Sequence, residues 1–235
     1  TLQQDAYNKL GFSVDRTMRI AQKLYEGIPL SDANKPEALI TYMRTDSLRI
    51  SDTALTETRH FIDKKFGTEY LPKATNVYAK KGAQDAHEAI RPIDVTISPD
   101  VATKYLGKDE AKLYGLIWKR FVACQMTKAE YLQKQVTLKA DKFLFRASGS
   151  TLMFDGFMKV YLVEDENDKL VTKIPKTLKE QDPAELKKIA GKQHFTQPPP
   201  RYTEASLVKE LEKKGVGRPS TYVATLFTIQ KRKYV

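Results

Sequence analysis

Residues 128–149 read KAEYLQKQVTLKADKFLFRASG, and within them the apolar period falls from helical spacing to two. Leu132, Lys134, Val136, Leu138 and Ala140 fall on one side of an alternating segment, and Phe143, Phe145 and Ala147 continue the rhythm. Gly149, Gly156 and an apolar run from Phe157 to Val163 extend this β-rich section to about residue 178. The 128 residues before it carry mainly helical patterns. The class that follows is α+β, with helices and strands segregated along the chain.

Upstream, Leu2, Ala6 and Leu10 predict a helix over 2–11 that ends near Gly11. A second helix is predicted from Ser13, with Val14, Met18, Ala21 and Tyr25 inward and Gly27 as its terminator. Residues 28–38 form a polar turn region with Pro29 and Pro36, and Ala38 to Met43 is compatible with a short buried strand. Ser51 caps a predicted helix with Asp52 in its first turn, Lys64 and Lys65 in its last, and Leu55, Thr58, Ile62 and Phe66 inward. Residues 68–82 read as loop, Gln84 to Ile90 as a short helix stopped before Pro92, and Ser98-Pro99 as a helix start. A longer helix from about Asp109 carries Leu113, Ile117 and Phe121. Downstream, Pro198-Pro199-Pro200 is a stiff connector. Thr203 then caps a helix with Leu207, Val208 and Leu211 that breaks at Gly215, and another starts with Pro219 in its first turn.

The chain has 235 residues, 41% hydrophobic and 29% charged, which is enough to bury a core and is neither a disordered nor a membrane composition. No stretch approaches the roughly 18 apolar residues of a membrane span. One cysteine, Cys124, excludes an internal disulfide and a cysteine-based zinc cluster. The polar start at Thr1 carries no secretory signal, so the expected compartment is cytosolic. The absence of an initiator Met and the abrupt end at Val235 suggest a segment of a longer protein.

The net charge of +11 is localised. Residues 1–100 carry 14 basic and 14 acidic side chains, and 151–200 carry 8 of each. Residues 101–150 carry 10 against 4, and 201–235 carry 8 against 3. Clustered positive charge suits a phosphate backbone through counterion release, and it equally suits solvated lysine-rich faces.

His60, His87, His194 and Cys124 are thin material for a hydrolase or a metal centre, and neither a G-x-x-x-x-G-K-[ST] loop nor an H-E-x-x-H pair occurs. Ile40-Thr41-Tyr42-Met43-Arg44-Thr45-Asp46-Ser47 is denser. If extended, it points Tyr42, Arg44 and Asp46 to one side, and Thr41, Met43 and Thr45 to the other. A free phenol titrates near pH ~10 and needs help to act as a nucleophile. An arginine two residues on is suited to hold a phosphodiester and stabilise charge in phosphoryl transfer. Spacing equally allows a buried tyrosine hydrogen-bonded to a neighbouring ion pair.

Residues 40–47 resemble the active-site signature of type IA DNA topoisomerases. Ala83-Gln84-Asp85-Ala86-His87-Glu88-Ala89-Ile90-Arg91-Pro92 resembles a second motif of that family. Tyr202-Thr203-Glu204-Ala205-Ser206-Leu207-Val208 with Gly215-Val216-Gly217-Arg218-Pro219-Ser220-Thr221-Tyr222 resembles a third. Leu2-Gln3-Gln4, Arg16-Thr17-Met18 and Leu24-Tyr25-Glu26-Gly27 are similar too, so the resemblance covers nearly the whole chain in family order. Met43 is more like the bacterial branch than the topoisomerase III or reverse-gyrase branches.

The resemblance implies that Tyr42 attacks single-stranded DNA, forming a 5′-phosphotyrosine link, and that resealing relaxes negative supercoils without ATP. Arg44 would be catalytic beside it, with Asp46 supporting, and His87, Arg218, Ser220, Thr221 and Arg232 would bind DNA. In the family's torus, residues 1–128 would be the helical tyrosine domain, 129–198 part of a β-rich arch, and 199–235 the start of a DNA-gripping helical domain. The resemblance assigns Mg²⁺ to a TOPRIM domain that would precede Thr1, and gives this chain no metal site. It makes that domain and negatively supercoiled DNA the partners, with no membrane, in a bacterial nucleoid-associated setting. The isolated chain is then expected to be inactive or nearly so. Two other readings are a non-catalytic single-strand-binding module and a protein-interaction piece with merely solubilising basic faces.

Overall fold

The structure is a computed structural model and describes residues 1–29, 36–78, 86–162, 174–175 and 177–234. Its helices and strands segregate into two compact units, one of residues 1–127 with 201–235 and one of residues 128–200. The architecture is α+β.

In the first unit α1 (Leu2–Leu10) and α2 (Val14–Glu26) follow their local signals. The Ser13 hydroxyl accepts from the Arg16 N–H, supplying one of the orphan donors at the α2 start. A second donor there, the Val14 N–H, is taken at 2.7 Å by the Glu204 carboxylate, which brings charge to the positive helix end. Val14, Met18 and Ala21 face inward as expected, whereas Tyr25 is 38% exposed. Gly27, at φ 111°, turns the chain into β1 (Ile28–Pro29), which pairs antiparallel with β2 (Pro36–Glu37). A Cβ at Gly27 would stand 3.1 Å from the Pro36 Cβ, a tight contact at a φ that already favours glycine.

Helix α3 (Asp52–Phe66) starts at the Ser51 cap, with Thr58 and Ile62 buried and Leu55 and Phe66 half-buried. A 3₁₀ turn at Thr68–Tyr70 follows it. Ser98-Pro99 opens α4, which runs only four residues (Pro99–Ala102), before α5 (Lys108–Cys124) begins one residue ahead of its expected start. Helix α5 buries Leu113, Tyr114, Ile117, Trp118 and Phe121. Loop 93–98 is tied to it by the Tyr114 hydroxyl donating to Ile97 O (2.6 Å) and the Trp118 indole donating to Val95 O (2.9 Å). Burial pushes the Tyr114 phenol well above its ordinary range. Helix α6 (Glu204–Lys213) starts in a Thr203–Ser206 capping box, and α7 (Tyr222–Lys231) follows. Pro219 precedes α7 instead of standing in its first turn, because the Thr221 hydroxyl closes a tight turn onto Arg218 N–H and C=O. Val208, Tyr222 and Leu226 pack with Val14 in one apolar cluster.

In the second unit β3 (Glu130–Ala140) and β4 (Phe143–Phe154) form an antiparallel hairpin around Asp141 and Lys142. Its register pairs Val136 with Ala147, Leu138 with Phe145 and Ala140 with Phe143, so the expected alternating set occupies one face. The apolar run after it is not a third strand over its described part: Gly156–Lys159 is a 3₁₀ helix. Residues 163–173, with the acidic run Glu164 to Asp168, lie outside the described residues. Residues 181–203, including the triple proline and His194, contain no helix or strand and are exposed.

Two further expectations for the first unit are corrected. Ala38 to Met43 makes no strand; it forms one isolated bridge, Ile40 with Pro92, because only a short stretch of 89–93 lies alongside. Residues 86–90 are turn and bend, not helix, since the Ala89 and Arg91 N–H groups donate to Arg49 O and to the Thr41 hydroxyl; Gln84 and Asp85 lie outside the described residues.

Candidate nucleic-acid cleavage site

The tyrosine segment is pinned on two sides without belonging to a sheet. The last carbonyls of a helix lack intrahelical donors, and Leu24 O at the end of α2 takes the Leu39 N–H at 2.8 Å. On the other side Thr41 N–H donates to Arg91 O (2.9 Å), Ile93 N–H donates to Leu39 O (3.0 Å), and the Thr41 hydroxyl donates to Ala89 O (2.7 Å). That hydroxyl also accepts from Arg91 N–H at 2.9 Å, so a single side chain locks residues 89–91 beside the tyrosine. Arg91 is held in turn by Glu88 at 2.7 Å, with both side chains mostly buried (12% and 19% exposed).

This framework presents the Tyr42 ring at the surface, half-buried between two others. The His87 ring lies 4.8 Å away, tilted by 43°, and the Tyr25 ring meets it edge-on at 5.5 Å. Arg44 is exposed and has no hydrogen-bond or ion-pair partner among the described residues, which leaves its guanidinium available to an anion. Met43 turns the other way and is 1% exposed.

Asp46 does not share a face with Tyr42 and Arg44 as strict alternation requires. Bends at Met43 and Arg44 break the two-residue period, and Asp46 lines the same small cleft as Met43, with Met18, Val208, Pro219 and Tyr222. Its carboxylate, only 8% exposed, stands 3.9 Å from the Arg218 guanidinium. The structure thus brings the first and third sequence motifs together through Asp46 and Arg218, and the first and second through Tyr42 and His87. Gly217 lets the chain turn tightly before Arg218: at φ 76° a Cβ would meet the Thr221 hydroxyl at 3.1 Å and the Tyr222 ring at 3.2 Å.

His87, Arg218, Ser220, Thr221 and Arg232 are all exposed. Thr221 also has the structural duty of closing the turn onto Arg218. His60 is exposed on α3, away from any cluster of metal-binding side chains among the described residues. Among those residues no group of three or more His, Cys, Asp or Glu is placed to hold a metal. Burial pushes the Cys124 thiol up, and the thiol donates to Phe121 O at 2.9 Å. Reading the sequence missed two contributors, the Tyr25 ring and the Thr41 hydroxyl. Tyr25 occupied an apparent inward helical position, and nothing local in the sequence marks Thr41.

Comparison with known proteins covers the whole chain. A family model described as DNA topoisomerase matches residues 1–235. The chain is similar to DNA topoisomerase 1 of Rickettsia felis, 49% identical over 241 residues, covering 100% of this chain and 31% of that protein. It is similar to DNA topoisomerase 1 of Pseudomonas aeruginosa, 50% identical over 239 residues, covering 100% of this chain and 26% of that one. The solved structure of full-length topoisomerase I from Thermotoga maritima superposes with a TM-score of 0.78 at 40% identity, over 99% of this chain and 37% of that one. The chain spans about a third of the length of the relatives it matches. No helix among the described residues is long and apolar enough to cross a membrane. With motifs, fold and whole-length similarity in agreement, the chain belongs to the bacterial type IA DNA topoisomerase family.

Proposed function

We propose that this chain carries the nucleophile of a strand-cleaving and resealing reaction on single-stranded DNA. The Tyr42 phenol gives up its proton to solvent as its oxygen attacks a backbone phosphorus and forms the phosphotyrosine bond to the 5′ side. The bond from phosphorus to the 3′ oxygen breaks, and that oxygen takes a proton to become a 3′-hydroxyl. Attack by the same hydroxyl reverses the step and restores the phenol. One phosphodiester is exchanged for another of similar energy, so negative supercoils relax without ATP. The observation that carries the reading is the surface-presented Tyr42 ring between Tyr25 and His87, with the unengaged Arg44 guanidinium two residues on.

Arg44 holds the scissile phosphate and stabilises charge building on it. Asp46 fixes Arg218, and Arg218 with His87, Ser220, Thr221 and Arg232 contacts the DNA strand. In this reading residues 129–198 contribute to the arch of a torus and 199–235 to a domain that grips the strand. Mg²⁺ and the general acid come from a TOPRIM domain, so the 235-residue chain alone turns over poorly or not at all. The setting is the bacterial nucleoid.

The test uses a 3′-labelled single-stranded oligonucleotide with Mg²⁺, with and without a separately produced TOPRIM segment, resolved by denaturing electrophoresis. The expected result is a labelled adduct only in the mixture, absent with Tyr42→Phe. Relaxation by the isolated chain would overturn the incompleteness. An adduct that survives Tyr42→Phe would overturn the nucleophile. Salt-sensitive binding without any adduct would favour a non-catalytic single-strand-binding module.

A further inference from the structure

We propose that Tyr25 is a positioning residue for Tyr42, acting on the orientation of the nucleophilic ring and not on DNA. The inference rests on the assignment of Tyr42 as nucleophile. Tyr25 sits in the last turn of α2, where Leu24 beside it is fully buried and bonded through its carbonyl to Leu39 N–H. Successive helical side chains diverge by roughly 100°. Burying Leu24 therefore directs Tyr25 out along the helix end, toward the segment that Leu39 begins. The same hydrogen bond that seats the nucleophile's chain also fixes the platform from which Tyr25 extends. Gly27 turns the chain at that exit with φ 111°, and Pro36 and Glu37 crowd the place a Cβ would take.

A tyrosine nucleophile has two soft torsions, and attack needs its oxygen in line with the departing 3′ oxygen. The Thr41 hydroxyl fixes the backbone beside Tyr42 but does not reach its ring. The ring is restrained by Tyr25 edge-on at 5.5 Å with 69° between planes, and by His87 at 4.8 Å. His87 is exposed and assigned to DNA, whereas Tyr25 comes from a fully formed helix. An edge-to-face pair shifts the population of the productive orientation by about two- to tenfold. Only the ring of Tyr25 enters this geometry, so Phe replaces it and Ala does not.

Two measurements test this. In the 235-residue chain with labelled tyrosines, Tyr25→Phe leaves the Tyr42 ring resonances close to their original positions, and Tyr25→Ala moves or averages them, with Tyr42→Phe giving the assignment. In the full-length enzyme, single-turnover cleavage of an oligonucleotide slows about three- to tenfold with Tyr25→Ala, recovers with Tyr25→Phe, and proceeds at unchanged Kd for DNA. Circular dichroism monitors folding, and Tyr25→Leu is a second variant that keeps apolar bulk without the aromatic edge. Full cleavage by Tyr25→Ala while Tyr42→Phe is dead overturns the positioning role alone. Loss of DNA affinity together with rate makes Tyr25 a DNA contact and also overturns it. Cleavage that persists in Tyr42→Phe overturns the underlying assignment instead.

Discussion

The helical unit and the hairpin unit use similar apolar side chains to different ends. In the first, Leu24, Ile62 and Leu113 are fully buried. In the second, Phe143, Leu144 and Met153 are 59%, 60% and 64% exposed, although the strands pair residue by residue from Tyr131 to Ala140, with Met153 skipped at the register shift beside Glu130. A helix stripe finds its partners among neighbouring helices of the same unit. A two-stranded ribbon has two faces and two open edges, and pairing satisfies the backbone without burying either face. Alternation specifies a strand; it does not supply the layer that covers it.

The largest expected effect that sharpens this contrast is Leu113→Ala. Removing a fully buried leucine is expected to destabilise the helical unit by about 2–5 kcal/mol. Thermal or denaturant unfolding followed by helix ellipticity checks it, and a loss under about 1 kcal/mol would break the comparison. Next in size, Tyr114→Phe removes the donor to Ile97 O and is expected to cost about 1 kcal/mol at neutral pH. The Tyr114 phenol is raised by burial in the fold, so its contribution is complete below the unfolded tyrosine value of about 10 and falls as pH rises beyond it. The phenylalanine variant therefore loses less stability than the parent between neutral and strongly alkaline pH, measured by paired denaturant titrations. Glu204→Gln keeps the size of the α2 cap and removes its charge, for an expected loss of about 0.3–1 kcal/mol in the same unfolding assay. The smallest effect is in the hairpin. Phe143→Ala is expected to change stability by no more than about 0.5 kcal/mol. It should also lower self-association, checked by light scattering against concentration.

What could be read from sequence follows the range of the interactions concerned. The caps at Ser13, Ser51 and Thr203 and the hairpin alternation depend on neighbours within a few residues, and the structure places them as expected. Ala38 to Met43 has strand-like composition, but a strand needs a partner, and residues 89–93 provide only a single bridge. Residues 86–90 look helical until their donors are traced to Arg49 and Thr41, about 40 and 50 residues earlier. The candidate site divides in the same way. Tyr42 and Arg44 stand out in their segment, whereas the pairing of Asp46 with Arg218 and the edge contact of Tyr25 exist only once distant segments are folded together.

The hydrogen bonds from Leu39 to Leu24 and from Thr41 to Arg91 also define a route for mechanical force. In the proposed covalent state a DNA end is tethered to Tyr42, and thermal motion or torsion in the duplex pulls on the backbone there. That pull divides between the carboxyl end of α2 and the segment at 89–93, instead of peeling a free loop from its tip. Several bonds strained together resist more than the same bonds opened one after another. A tether anchored in this way keeps the broken end in register for resealing while the rest of the DNA moves.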